Sequence, residues 1–566
     1  MGDLLIRGGT LIDGGGGPSR DADVRVRAGR IVDVGPGLRA EGETELDASG
    51  AVVTPGFIDT HTHYDPALFW DPAADPMPQH GVTTMLLGNC SLSLAPLKAE
   101  HRAALSDCFA FIEDLPIEAF ETGVPWGWET WAGYRDAMQS RGYGVNSAGL
   151  VGHTPLRLFV MGDAAWERPA TESERTAMAA VLDECLRDGA FGLSTSLFHR
   201  DRNGRLVPSG IADDHEVGTL LDVLASRGAF LEFIPDIIAP NMPETVERYA
   251  SLLATRDVTA TWNAIIHMSH DKGARARALL EQAAQMQAKG IHIYPQVSPR
   301  TIDVQISWVS TVMFSHLPGS WNQIVATSDG PSRAAMLQDH VWRDRARQEW
   351  DAVTSEMFPH RHPELARLVS VTRAEDEEWV GKRFSDLVAE RGGHPSDVLA
   401  DWVLRNDLQP GIAAVVGNAD PDGMAEMLVD ASTIISASDA GAHINMFCAA
   451  GDTTLLLTRH VRDRQDLSLE RAIWELTGRQ AEIFGFEGRG KVSVGMRGDL
   501  AVFALDELSW DADVRVRDVP GEGTRLRRPP GGYRYTIIDG TVTQAHGQLT
   551  GALPGAFLNA QSTGTR

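Results

Sequence analysis

Residues 56–65, Gly-Phe-Ile-Asp-Thr-His-Thr-His-Tyr-Asp, put two histidines at the end of an apolar run, and few folds have a use for that arrangement. Side chains alternate along a strand, so His61 and His63 share one side and Thr62 takes the other. A strand that stops at His-x-His aims two imidazoles at one point, and neutral imidazole is the commonest metal ligand. Two strand histidines can also simply pack or hydrogen-bond. The flanking Pro55-Gly56-Phe57-Ile58-Asp59 and Tyr64-Asp65 favour the metal reading, with a divalent cation as cofactor.

The chain around this stretch changes character twice. Residues 3–55 carry short apolar alternations separated by glycine, such as Leu4-Leu5-Ile6, Val24-Arg25-Val26 and Arg30-Ile31-Val32-Asp33-Val34. These read as strands and turns, and residues 490–566 answer them with Asp499-Leu500-Ala501-Val502-Phe503 and Tyr535-Thr536-Ile537-Ile538. The expectation is a small β domain built from 1–55 and 490–566, with a large α/β domain between them. From 57 to about 300, continuous apolar strands alternate with helical patterns, which implies a parallel sheet covered on both faces. One helix start is explicit: Thr171-x-x-Glu174 is a capping box, followed by Met178, Val181, Leu182, Cys185 and Leu186 on one face. The alternation fails at about 300–410, which reads as an insertion, and strands resume near 412–417 and 433–438. Nine candidate strands result where an eight-stranded barrel needs eight, so one of them belongs elsewhere.

Composition narrows the function classes. A length of 566 residues allows a large core and more than one domain, and 43% apolar with 23% charged residues is ordinary for a globular chain. The net charge of −26 works against nucleic-acid binding and against an anionic membrane surface. Four cysteines make no disulfide framework and suit a reducing compartment. No apolar run approaches a membrane span and no signal segment is evident at the start, so the expected setting is the cytoplasm. The expected partner is a small-molecule substrate, and a homo-oligomer is compatible with the sequence.

Asp439, in Ser438-Asp439-Ala440-Gly441-Ala442-His443, follows a buried strand. Aspartate there often only forms a turn; joined to an upstream His-x-His it becomes a candidate ligand and general base. Cys90, just past the strand 82–88, is either a small buried apolar residue or a thiolate ligand. His153 could polarise a carbonyl or cap a strand end. Lys272 could offset a substrate carboxylate or sit at an exposed helix start, His199 reads as a loop residue, and His443 could orient Asp439 or the substrate.

Several segments together resemble the amidohydrolase superfamily, and within it the D-aminoacylase (N-acyl-D-amino-acid deacylase) group. They are PGFIDTHTHYD, GVTTMLLGNCSLSLAP, LVGHTPLR, GAFGLSTSL, SDAGAH, GKVSVGMRGDLAVF and the closing IIDGTVTQAHGQLTGALPG. The resemblance spans nearly the whole chain and is weakest at 300–410. It implies a TIM-type (β/α)8 barrel with a small β-sandwich from both termini, and zinc-dependent hydrolysis of an amide bond. It also implies that His61, His63, Cys90 and Asp439 are metal ligands, that Asp439 is the base, and that Tyr294 contacts a substrate carboxylate. The group's histidine at the end of the fifth strand is absent from Leu231-Glu232-Phe233-Ile234-Pro235-Asp236. Its sixth-strand histidine is absent from Trp262-Asn263-Ala264-Ile265-Ile266-His267. Glu232, His267 or His270 could replace them; a single-metal site on His61, His63 and Asp439 with Cys90 is the expectation.

The expected activity is hydrolysis of an N-acyl amino acid or a related small N-acyl compound. Two alternatives stand beside it: opening of a cyclic amide or lactone, or deamination, on the same scaffold, and a catalytically silent scaffold.

Overall fold

Apolar runs bounded by glycine become strands, and their pairing order is simple. The computed structural model describes residues 2–237, 241–269, 271–306, 319–327, 329–352, 366–408, 411–436 and 438–560. Strands Phe57–Asp59, Val82–Leu87 and Asn146–Gly149 pair in parallel. Past Leu150 the third continues as Val151–Gly152, and Gly192–Ser196, Phe230–Ile234, Ala260–Trp262, Ile293–Val297 and Ile434–Ile435 follow in sequence order, all parallel. Beyond the last strand the chain returns to the first. Thr62 and Ala440 form a parallel bridge, the His63 amide donates to Ala440 O (2.8 Å), and the Asp439 amide to His61 O (3.1 Å). His61, His63, Cys90 and Asp439 therefore all lie just beyond the carboxyl ends of parallel strands, where such folds place their sites.

The crossover helices follow local rules. Thr171 accepts from the Glu174 amide while Glu174 reaches back to the Thr171 amide, and helix Glu172–Arg187 then buries Met178, Leu182, Cys185 and Leu186. Losing such a cap costs about 1 kcal/mol; most of the helix's stability comes from that buried face.

One sheet draws on both ends of the chain, and a second is built from the amino-terminal segment alone. Val52–Pro55 pairs in parallel with Thr10–Leu11 and antiparallel with Leu500–Phe503, which continues to Tyr535–Ile538 and Thr541–Ala545. Leu4–Arg7 lies between Asp23–Arg27 and Thr44–Asp47 in the other sheet. Leu4, Ile6, Val24, Val26, Val53, Leu500, Val502 and Ile537 fill one apolar core.

Ile412–Gly417 is the ninth candidate strand. It pairs antiparallel with Ile302–Ile306 and Ala366–Leu368, outside the parallel set. Around it Trp321, Trp342, Trp350, Trp379 and Trp402 build a separate core, and the loop after Asp439 contributes Met446, Phe447 and Ala449 to that core. The insertion is thus packed onto the segment that carries Asp439 and His443. Among the described residues no helix is long and apolar enough to cross a membrane.

Candidate functional site

Four of the residues singled out in the sequence converge. His61 Nε2 lies 3.2 Å from Cys90 Sγ and 3.2 Å from Asp439 Oδ1, and His63 Nε2 lies 3.7 Å from the same oxygen. His61, His63 and Cys90 are all buried. The strand period puts both imidazoles on one side, as the His-x-His spacing requires. Cys90 and Asp439 reach them from turns in which each residue adopts the left-handed backbone (φ 59° for both). Such conformations cost about 1–3 kcal/mol for non-glycine residues and persist where surrounding structure holds them. Here the Cys90 amide donates to Glu232 Oε2 (3.0 Å) and the Ser91 amide to Ser194 Oγ (3.0 Å). On the other turn, Ser438 Oγ donates to His61 O (3.0 Å) and accepts from the Ala440 amide (3.1 Å).

The electrostatics of this cluster are those of a site short of positive charge. Gln296 donates its amide to Thr261 Oγ1 (3.2 Å), which turns its oxygen toward His61 Nδ1 (2.8 Å). His61 Nδ1 therefore carries a hydrogen, and Nε2 of the neutral ring presents a lone pair. That lone pair faces a carboxylate and a sulfur. When the imidazoles instead carry their protons, burial pushes the Asp439 carboxyl up, but hydrogen bonds and charge from His61 and His63 outweigh it and hold the group well below the usual carboxylate range; a cation between them would replace that charge. Burial, with the charge of His61, lowers the basicity of His63, and burial, with the charges of Glu232, Glu113 and Asp439, raises the Cys90 thiol well above its ordinary value. Ligand atoms at tetrahedral angles, about 2.0–2.3 Å from one zinc-sized ion, stand roughly 3.3–3.6 Å apart. His61, His63 and Cys90 offer ligand atoms that all lie within 4.8 Å of one another, Asp439 Oδ1 stands 3.2 and 3.7 Å from the two imidazoles, and the donor set of imidazoles, sulfur and carboxylate fits a divalent cation chemically.

A second tier of buried acids surrounds the four. Glu232, on the fifth parallel strand, has Oε2 on the Cys90 amide, while its buried Oε1 has no hydrogen-bond partner; burial pushes its carboxyl up to about 7. Glu113, just after helix Arg102–Ile112, sets Oε1 3.5 Å from His63 Nδ1 and Oε2 4.0 Å from His443 Nε2. Asn263 follows the sixth strand, with Nδ2 3.4 Å from His61 Nε2. His443 donates its amide to Glu113 O (2.6 Å) and sets its ring edge-on to Phe447. His199, expected as a loop residue, belongs to this surrounding as well: burial and then the charges of His63 and His443 lower its basicity to about 3.

Three sequence-based substrate assignments need correction. His153 has both ring nitrogens occupied, Nδ1 by Thr195 Oγ1 (2.9 Å) and Nε2 by Glu216 Oε1 (2.8 Å), so neither faces a substrate. Tyr294 lies toward the amino end of its strand and packs on the cluster of Phe191, Phe230, Ile434 and Phe484. Gln296, two residues on and on the same face, is the residue that reaches His61. Lys272 is exposed in the turn before helix Ala274–Ala288, and among the described residues it has no contact with the cluster. Of the proposed replacement ligands, His267 is buried against Gly273 and Gly423 with Nε2 3.7 Å from Asp420, away from the four, and His270 lies outside the described residues.

Glu113, Gln296, Asn263 and His199 are what sequence reasoning missed as site residues. A signal existed for Glu113, since it closes the apolar run Cys108-Phe109-Ala110-Phe111-Ile112, where a carboxylate is out of place in a core. Gln296 follows from strand parity once the strand's end is known.

The chain matches the amidohydrolase family over residues 44–226 and 383–544, more than half its length. An uncharacterised protein of Mycobacterium tuberculosis is 32% identical over 97% of this chain and 93% of its own length. The D-aminoacylase of Alcaligenes xylosoxydans xylosoxydans is 30% identical over 88% of each chain. A solved D-aminoacylase, described by its binuclear metal centre with one-metal activation and second-metal attenuation, superposes with a TM-score of 0.68 at 25% identity over 99% of this chain and 100% of that one. The chain belongs to the amidohydrolase family, in its D-aminoacylase-like group, and is a metal-dependent amidohydrolase.

Proposed function

We propose that this chain hydrolyses the amide bond of an N-acyl amino acid or a related small N-acyl compound. In this reading His61, His63, Cys90 and Asp439 hold one divalent metal, and Asp439 is the general base and then the general acid. The observation that carries it is that Cys90 Sγ and Asp439 Oδ1 each stand 3.2 Å from His61 Nε2, with His63 beside them, so that imidazole, sulfur and carboxylate donors share one buried spot. Imidazole with thiolate favours zinc among the common divalent ions. When bound, such an ion supplies a Lewis acid for the scissile carbonyl and acidifies a water.

The chain's own residues do the rest. Asp439, its side chain 28% exposed beside the two buried imidazoles, is the carboxylate placed to accept the proton of the attacking water. The same group then passes that proton to the leaving nitrogen as the C–N bond breaks. His443, at the mouth of the Asp439 turn beside Phe447, is placed to orient the substrate. The same reading closes the eight parallel strands into a (β/α)8 barrel of residues 56–489, with 1–55 and 490–566 as a β-sandwich domain.

The named relatives support the substrate class: a D-aminoacylase, an N-acyl-D-aspartate deacylase and an N-acyl-D-glutamate deacylase, each of Alcaligenes xylosoxydans xylosoxydans. The test is a panel of N-acyl-D- and N-acyl-L-amino acids assayed beside hydantoins and lactones on zinc-loaded protein. Turnover confined to the N-acyl compounds supports the proposal; turnover confined to the cyclic compounds overturns it.

A further inference from the structure

Glu113 is an unusual residue to find where it is. It follows the last turn of helix Arg102–Ile112, a position normally polar and solvated, yet its side chain is only 2% exposed. Among the described residues no lysine or arginine pairs with it; its ionic neighbours are His63 and His443, one on each oxygen. Its Oε1 and the facing His63 Nδ1 are both buried without a hydrogen-bond partner. Core carboxylates are rare, and rarer still without a cation. Packing alone gives no reason for this one.

Its backbone is tied to the same region. The Glu113 carbonyl accepts from the His443 amide (2.6 Å), and the next residue, Asp114, accepts from the Asn445 amide (3.3 Å). The end of the first long helix thus grips the loop that follows Asp439 and, through the Glu113 side chain, also reaches the His-x-His strand. His63 turns Nε2 toward Asp439 and Nδ1 toward Glu113, so its two nitrogens have different tasks. A histidine ligand commonly donates its second N–H to a carboxylate, which fixes both tautomer and ring orientation.

We infer that Glu113 is a positioning residue of the metal centre: its carboxylate stands between His63 and His443, keeps the hydrogen of His63 on Nδ1 so that Nε2 is free to ligate, and holds His443 over the same site. This rests on the proposed metal-binding reading. Glu113 neither ligates nor touches substrate; it acts through the two imidazoles.

The test uses the full-length protein with Glu113→Gln, which keeps the shape and one acceptor oxygen, and Glu113→Met, which keeps the bulk and removes both oxygens. Zinc affinity is read by chelator competition and the ligand field by the visible spectrum of the cobalt-substituted protein, with circular dichroism as the folding control. Zinc binding by Glu113→Met is expected to weaken by about 10–100-fold with a shifted cobalt spectrum. Glu113→Gln is expected to weaken less, since a neutral oxygen is a poorer acceptor than a carboxylate. Folded variants that match the wild type in affinity and spectrum overturn the inference, and if Glu113→Met fails to fold, Glu113→Gln alone decides by the same criterion. A wild-type protein that binds no zinc or cobalt sinks the metal reading itself and Glu113's role with it, an outcome distinct from an unchanged variant of a metal-binding wild type.

Discussion

Two buried clusters in this molecule join histidine to glutamate, and they are built on opposite logic. Around Glu216, His153 Nε2 lies 2.8 Å from Oε1, Arg157 reaches both oxygens, and the Ala170 amide donates to Oε2 at 3.4 Å. Burial works to raise that carboxyl, but His153 and Arg157 prevail and hold it at about 2. Around His61 and His63 the acids outnumber the cations. Among the described residues no lysine or arginine pairs with Glu113, and buried oxygens of Glu113 and Glu232 lack hydrogen-bond partners. Equal burial, then, with unequal satisfaction. A fold that can supply Arg157 to one buried glutamate could supply an arginine to another. Where it gathers buried acids around two imidazoles with no lysine or arginine paired with them among the described residues, the balancing positive charge is left to a bound cation.

The comparison can be broken from either side. The largest expected effect is on activity: Asp439→Asn removes the carboxylate placed to move the proton, and kcat/KM is expected to fall by roughly 10³-fold in protein that circular dichroism shows to be folded. An Asp439→Asn protein that retains a tenth of wild-type turnover would remove Asp439 from the mechanism.

Next in size, Glu216→Ala leaves Arg157 charged and unpaired in the core. It is expected to cost about 3–5 kcal/mol of stability, seen as a lower denaturation midpoint, while metal content per folded chain stays that of the wild type. Loss of metal in that variant would join the two clusters that this comparison separates.

Cys90→Ser sharpens the other side. Serine keeps the size and the turn but not the soft thiolate, so zinc affinity is expected to drop by at least about tenfold, measured by chelator competition. Full retention would leave Cys90 a packed thiol.

The pH dependence discriminates further. Glu216 falls from an ordinary 4.5 to about 2 on folding, so its stabilisation is complete above about 4.5 and is lost as pH drops toward about 2. Thermal melts between those limits should show the wild type losing more stability than Glu216→Gln. Equal slopes would mean that the pair carries none of the acid sensitivity. The smallest effect belongs to Lys272→Ala, expected within about ±0.5 kcal/mol in stability and unchanged in KM, because the side chain is exposed and away from the cluster.

Much of this was legible in the residues. His61 and His63 are fixed by a period of two, Asp439 by its place after an apolar strand, and helix Glu172–Arg187 by its capping box. These are local rules, and a single sequence states them. What failed depended on tertiary pairing. Tyr294 and Gln296 share one strand face, and only the strand's depth in the sheet decides which of them meets His61. His153 opens a helix next to a buried acid 63 residues away, a contact that no window of sequence displays. Strand Ile412–Gly417 has the apolar pattern of a parallel core strand, yet the insertion uses it in an antiparallel sheet beneath its own tryptophans. An apolar run states that a strand is buried, not against what.

The most direct test of the central claim, that the four converging side chains are a metal centre, is elemental analysis of metal per folded chain, in the wild type and in Asp439→Asn. One divalent metal per chain, zinc foremost, is expected in the wild type, lost or markedly loosened in Asp439→Asn. A folded wild type that carries no metal and takes up none from excess zinc would contradict it.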